Sequence, residues 1–590
     1  LTVNVISLAI NAGIQKDGTD FDASAYVDGK WVRFQRGRPR KVGGYRGIFL
    51  NAPGIARGMT MQSQSGLNYV YAGYTDSVQY WQTDNNNGVG SGPAPITLSA
   101  SYFTSNDNNL WQFDIGYDFN GTNTLQVIAH PGQNLTSIDN AVNTPVLVGT
   151  FPGGSMSGVG VFTVTGSATG STITLATADY RIGIGQTVTG TGIPASTTVT
   201  AVTVVTSPSP ATTITISASV SGSPTSFTFD NNISVSGGAC MLYPYLFVYG
   251  NNGLIQNCSA GDFTNWISAD SNANNISATK VVKGMPLRGG TTSPAGLFWS
   301  LDQLTRVTYA PQTIGSSTIY WRYDIISTQT SILSSQCVIE YDGIIYWVAV
   351  DRFLMYNGVV QEVVNTSNTN YFFDNLNFAQ RQKVWAAKIP RWGEIWWFYP
   401  HGDATECNNA VIYNVRDKVW YDAGFAEGSQ RSAGTFSEVF KFPIWADNVA
   451  NSAGDNTLWQ HETGVDQIYL NNVNAVESYF ETNSIGWVGG GPGQRSMQGI
   501  NRWIRLERVE PDFVQTGEMS LIVTGKGYAT DVDNPSDPYT FTPDTLKIDL
   551  REQRREMKLR FISNVANGNY ETGNILLSAD IGDERSTGNP

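Results

Sequence analysis

Tyr341-Asp342-Gly343-Ile344-Ile345-Tyr346-Trp347-Val348-Ala349-Val350-Asp351-Arg352-Phe353-Leu354-Met355-Tyr356-Asn357-Gly358 is the stretch from which the fold is read. Asp-Gly and Asn-Gly at its two ends supply the positive φ of tight hairpin turns, a backbone region that glycine tolerates without steric cost. Asp351-Arg352 marks another turn between two apolar runs. Strand, turn, strand and turn follow in 18 residues. The inward positions carry Trp347 and Phe353, large side chains of the kind that dominate buried packing.

Related aromatic strands recur along the chain, at Leu67 to Gly73, Thr124 to Ala129, Tyr245 to Gly250, Gly296 to Ser300, Gly393 to Phe398 and Asn456 to Trp459. The later ones start about 45 to 65 residues apart, a period that suits a four-stranded propeller blade; leucine-rich and ankyrin repeats are shorter. The expectation is an all-β protein: a β-propeller of six or seven blades packed by Trp266, Trp299, Trp347, Phe353, Trp396 and Trp420.

Composition agrees with strands and turns. Glycine at 61, aromatics at 12% and charged residues at only 14% leave little of the Ala, Glu, Lys and Leu that favour helices. At 590 residues the chain is too long for one core. The formal charge of −13 argues against a protein that wraps nucleic acid, because such binding neutralises phosphates with Lys and Arg. No run approaches the roughly 18 apolar residues of a membrane span, and Leu1 to Gly13 makes a poor signal peptide, so the chain reads as soluble and made in a cytoplasm.

Residues 155–229 break the pattern, being almost wholly Gly, Ser, Thr, Val, Ile and Ala. Period-two runs such as Thr172 to Leu175 and Thr213 to Ser217 predict an inserted immunoglobulin-like β-sandwich. From 471 onward, runs such as Trp503 to Arg508 and Met557 to Ile562 alternate apolar with charged residues, as half-buried antiparallel strands do. The expected order is a basic arm at 1–50, blades at 51–154, the insert at 155–229, further blades at 230–470 and a β-rich sandwich or platform at 471–590.

Two basic clusters stand out in this acidic chain. Five Lys and Arg residues, Arg33, Arg36, Arg38, Arg40 and Lys41, fall within nine positions. A local charge reversal of that kind marks a surface made for a partner. The second cluster, Arg551, Arg554, Arg555, Lys558 and Arg560, is read either as a solvated strand face or as a docking site for an acidic neighbour.

Chemistry is hard to find. His130, His401 and His461 each sit beside a Gly or an acid in what read as turns, and no zinc spacing, phosphate loop or nucleophile elbow appears. Cys240, Cys258, Cys337 and Cys407 are scattered and read as buried free thiols. Asp531, Asp533 and Asp537 lie in a Pro-containing loop without the Gly and terminal Glu of a calcium hand, so a solvated loop is expected. Paired carboxylates for a glycosidase need a separation that sequence does not give. No catalytic, cofactor or metal residue is assigned, and the chain is expected not to be an enzyme.

Several stations resemble, in order, the tail nozzle proteins of short-tailed bacteriophages (podoviruses), the tail tubular protein B type. They are Asn11 to Gly13 with Gly18-Thr19, the basic stretch from Trp31 to Tyr45, the turn Ser259 to Trp266, Gly296 to Tyr309, the hairpin at Tyr341 to Gly358, the turn Tyr413 to Trp420, and Arg502 to Asp583. Gly568 to Gly573 carries Tyr570 where the family tends to carry Trp. The resemblance spans most of the chain except the insert. It implies a structural virion protein: a homo-oligomeric ring, a hexamer, below the head-tail adaptor protein. That ring is a conduit and gate for retaining and ejecting the genome, in contact with tail fibres or spikes and with a tail needle or plug. Genomic DNA passes without specific binding, since acidic walls offer a polyanion nothing to hold. The Arg33 to Lys41 arm is then expected to reach the adaptor or the next copy. The alternative is a tail-associated polysaccharide-degrading enzyme on the same propeller.

Overall fold

The computed structural model describes residues 4–584 apart from 84–93, 97–109, 131–134, 140–145, 152–160, 231–236, 288–292, 487–501 and shorter stretches, Trp266 among them. The protein is all-β and built of many small sheets. One α-helix, Thr369–Asn375, and three short 3-10 turns are the only helical segments among the described residues. The chain forms two compact units. One comprises Leu1–Ala52, Asp351–Phe353 and Val363–Pro590, the other Pro53–Val350 with Leu354–Glu362.

Among the described residues the second unit holds five four-stranded meanders, the last apart from Asp351–Phe353, in which chain neighbours pair in order. They run from Met59 to Ile96, Gln112 to Phe151, Gly238 to Asn275, Val281 to Ser327 and Ile339 to Glu362. The aromatic runs supply the buried middle strands. In Tyr245–Tyr249 and Ala295–Ser300 every residue is buried, as strands covered on both faces require. Trp299 and Trp347, from successive meanders, meet edge-on with ring centroids 5.6 Å apart.

The same unit contains a pair of sheets around a core of their own. Val161–Thr165, Ser226–Asp230 and Thr187–Thr189 form one; Ser167–Thr169, Thr172–Leu175, Ala211–Ile216 and Val199–Val205 form the other. Ile173, Leu175, Val188, Ile214, Phe227 and Phe229 fill the space they share. The period-two alternation of these Thr- and Val-rich strands turns every second residue inward.

In the first unit, Trp385–Ile389, Glu394–Tyr399, Asn409–Asn414 and Val419–Asp422 make another meander. A six-stranded sheet follows. Its first three strands, Arg431–Thr435, Ile444–Asp447 and Asn456–His461, come in chain order, and the fourth is Tyr45–Ala52, antiparallel to Asn456–His461. Thus the sheet that ends the run of meanders takes its fourth strand from the beginning of the chain.

Residues 1–50 are therefore not a separate arm, which corrects the sequence expectation. Asn4–Ser7 pairs with Leu576–Glu584, Asp28–Lys30 with Ser478–Glu481, and Arg38–Lys41 with Asn569–Thr572. The sheets after residue 471 are likewise completed by amino-terminal strands rather than standing alone as a platform. One hydrophobic cluster joins Ile14, Trp31 and Phe34 to Trp396, Phe480, Phe561 and Tyr570. A chain segment that buries its aromatics in someone else's core cannot swing free.

Candidate functional site

Val32–Gln35 and Arg38–Lys41 form a hairpin whose tip is Arg36-Gly37, both with positive φ. In its register Arg33 lies opposite Arg40 and Gln35 opposite Arg38. Directly opposed residues share a face, so Arg33, Arg38 and Arg40 point to the same side of the hairpin. Their fates differ. Arg33 is 1% exposed; its guanidinium donates to Glu462 at 2.7 Å and to Glu394 at 3.0 Å. Tyr421 and Trp396 donate to the same Glu394 at 2.6 and 2.9 Å. Burial pushes the Glu394 carboxyl up, and Arg33 opposes that.

Lys41 is buried too, its Nζ donating to the Gly568 carbonyl at 2.8 Å. Burial lowers this amine to about 8, against the pull of Asp466. Arg33 and Lys41 consequently hold the fold together and offer no docking surface, which corrects the sequence reading of both. Arg36 is exposed; Arg38 and Arg40 are half-buried, Arg38 donating to Asn574 and Arg40 to Glu571 at 3.0 Å.

The hairpin's charged face abuts Trp392, in the turn between Trp385–Ile389 and Glu394–Tyr399. Guanidinium carbons of Arg33, Arg40 and Arg391 lie 4.7, 4.8 and 4.7 Å from its ring centroid. The indole Nε1 donates to Glu462 at 2.8 Å. Three cations on one indole are a concentrated case of the cation–π attraction. Sequence reading missed Trp392, Arg391 and Lys441 because they are scattered along the chain rather than clustered in it.

The second basic cluster divides in the same way. Arg551 is exposed, Arg554 pairs with Glu552 at 3.0 Å, and Arg555 donates to the Gly527 carbonyl at 3.4 Å. Lys558 is bound by Asp20 at 2.8 Å, Glu481 at 3.0 Å and Asp533 at 3.5 Å. Arg560 reaches Glu481 at 2.6 Å and Asp28 at 3.3 Å.

These last groups line a cavity of about 530 Å³ together with Lys16 and Thr524. Lys16 pairs with Asp28, which also accepts from the Tyr479 hydroxyl at 2.9 Å. Burial pushes the Asp28 carboxyl up, but Lys16, Tyr479 and Arg560 override it and hold the group below the usual carboxylate range. Asp422, 2% exposed, feels the opposite balance: burial raises it, and Lys16 only partly offsets this. Two carboxyls around one ammonium are thereby driven apart, one towards the ionised and one towards the neutral form. Such a split is what acid–base chemistry uses.

His461 and His130 are buried at strand ends rather than in surface turns, another correction. His461 accepts from Arg431 Nε at 3.0 Å and stacks on Tyr45, and burial holds it well below the ordinary imidazole value. His401 forms an isolated antiparallel bridge with Leu376, just before the turn at Gly402. All four cysteines are buried free thiols. Among the described residues no group of three or more His, Cys, Asp or Glu stands where it could hold a metal ion. No described helix is long and apolar enough to cross a membrane.

Of the aromatic residues expected to pack the repeats, Trp299, Trp347, Phe353, Trp396 and Trp420 are buried; Trp266 lies outside the described residues. Phe353 packs against Trp420, the rings tilted and their centroids 4.7 Å apart.

No protein-family model and no characterised protein sequence matches the chain. Among solved structures it is similar to one described as a glycoside hydrolase, at 10% identity and a TM-score of 0.22, covering 90% of this chain and 99% of that one. It is also similar to an exo-β-1,3-galactanase from Phanerochaete chrysosporium with β-1,3-galactotriose, at 11% identity and a TM-score of 0.21, covering 58% of this chain and 95% of that one. Those descriptions overturn the expectation of a chain that is not an enzyme, and it is withdrawn. At these identities and TM-scores the likeness carries no argument for a particular activity.

Proposed function

We propose that the chain is a ring-forming structural protein of a bacteriophage tail, built on a β-propeller with an inserted immunoglobulin-like sandwich. Its particular role is then that of the tail nozzle: a homo-oligomer, as a hexamer, below the head-tail adaptor, through which the genome is retained and ejected. The observation that carries the fold part is the sheet in which Tyr45–Ala52 completes Arg431–Thr435, Ile444–Asp447 and Asn456–His461. A propeller needs its first and last blade joined, and a strand from the start of the chain added to the last blade achieves this without a covalent link. Counted with the six meanders among the described residues, that sheet makes seven, a number that supports the proposed seven-bladed arrangement.

The ordered stations of sequence resemblance carry the nozzle part, and a charge of −13 per copy suits a passage for a polyanion. The test is electron microscopy of the purified chain. Closed rings with a central hole support the role, and a monomer at all concentrations counts against it.

A second reading, a tail-associated polysaccharide-degrading enzyme, draws on the carboxylate-lined cavity. There Asp28 is held ionised beside Lys16, and Asp422, buried outside the cavity lining, is held towards its neutral form. Incubation with host envelope glycans separates the two. Product released by the wild type and lost in Asp28→Asn favours the enzyme.

A further inference from the structure

Around Trp392 lie exposed cations that no acid among the described residues neutralises. Arg391, Arg416 and Lys441 are exposed and enter no ion pair among the described residues. Arg391 lies over the half-buried Trp392 ring, and Arg416 donates to the Arg391 and Pro390 carbonyls at 3.0 and 2.7 Å, which fixes the turn that carries both. Beside Trp392 opens a cleft of about 70 Å³ walled by Phe436, Phe442 and Pro443, with Arg391 and Lys441 in its lining. Aromatic walls under a rim of arginine and lysine are the composition of a binding surface rather than of ordinary solvated surface. In a chain of net charge −13 such a surface is exceptional.

The same unit carries its complement. In the segment from Asp531 to Leu546, a loop interrupted by two short strands, Asn534–Pro535 and Tyr539–Phe541, that pair with Met519–Lys526, Val532 is 83% and Leu546 88% exposed, the two most exposed large apolar side chains among the described residues. Asp531, Asp537 and Asp544 around them are exposed and enter no ion pair among the described residues. The loop's fourth acid, Asp533, is already taken by Lys526 and Lys558. Within one chain, the basic and the acidic groups do not pair with each other.

The geometry points to a head-to-tail contact in which the Trp392 patch of one copy receives the Asp531 to Leu546 loop of a second copy. An aliphatic side chain enters the aromatic cleft, and the loop carboxylates meet Arg391, Lys441 and their neighbours. Two unlike faces on one chain generate a ring when the rotation closes. Opposite charge on the two faces also disfavours the wrong pairings, patch on patch and loop on loop. This contact deepens the ring reading and rests on it, since both require copies of the chain to meet.

The test uses the full chain in sedimentation velocity. Two charge-reversal variants are made at exposed positions, Arg391→Glu with Lys441→Glu, and Asp531→Lys with Asp537→Lys; near-ultraviolet circular dichroism verifies their folding. Each alone is expected to self-associate at least roughly tenfold more weakly than the wild type. Mixed in equal amounts, the two are expected to associate again, because each supplies the face the other lacks. Wild-type association in the separate variants, or a mixture that stays dissociated, overturns this contact while leaving the ring reading in place. A monomeric wild type at every concentration overturns both.

Discussion

Arg33 shows how burial decides what a charge is for. Its partners Glu394 and Glu462 stand 361 and 429 positions away along the chain, so the sequence presents five neighbouring cations and no sign that one of them belongs inside. Removing the guanidinium leaves two carboxylates facing each other with little solvent. Arg33→Met is expected to cost about 3–5 kcal/mol, the usual result of breaking a buried pair from one side. Arg36→Glu at the exposed tip is expected to stay within about 0.5 kcal/mol. Denaturant unfolding of the full chain compares the two.

Lys41 gives the corresponding prediction in pH. Its folded value, about 8, lies below the roughly 10.4 of a free lysine. Between those values the unfolded chain binds the extra proton, so this group's contribution to stability rises with pH across the window. Lys41→Met removes that contribution. The gap between variant and wild-type unfolding midpoints is therefore expected to change between pH 7 and 10. Asp28 has the opposite sense: its folded value is depressed, so its stabilisation is present above about pH 4 and is lost as pH falls through the folded value.

At the scale of elements, the meanders were the legible part, because local turn chemistry writes them. Asp342 and Gly343 both have positive φ, at 51° and 82°, and Gly358 has 114°. Ile344–Val348 and Phe353–Tyr356 are the strands expected between these turns. Alternation undisturbed by charge made the strands Thr172–Leu175 and Ala211–Ile216 legible for a similar reason. The insert's core of Ile173, Val188, Ile214, Phe227 and Phe229 is self-contained. Residues 155–229 expressed alone are thus expected to give a dispersed amide spectrum, whereas a collapsed spectrum would show that the pair of sheets leans on its host.

The partner of Tyr45–Ala52 was not legible. A strand from one end of a chain carries no local mark of the sheet it will complete at the other, and the basic residues before it suggested a free arm. Phe49 faces Leu458 across that pairing and is buried. Phe49→Ala is expected to cost about 3–5 kcal/mol through the cavity it leaves. Hydrogen exchange should show the loss in Asn456–His461 and its neighbours before the meanders of the second unit respond.

On the scale of the whole molecule, a run of aromatic sheets, an acidic net charge, a basic patch and an acidic loop support the proposal that copies of this chain close into a ring around a passage. Charge was legible from composition, but which charges remain free for a neighbour was not, since that depends on partners hundreds of residues apart. The most direct measurement is cryo-electron microscopy of the purified full-length chain with rotational averaging left unimposed. Closed rings of six copies are expected, with an open axial hole and the Trp392 patch at each subunit boundary. Isolated monomers, or open chains of variable length without a common axis, would contradict the proposal.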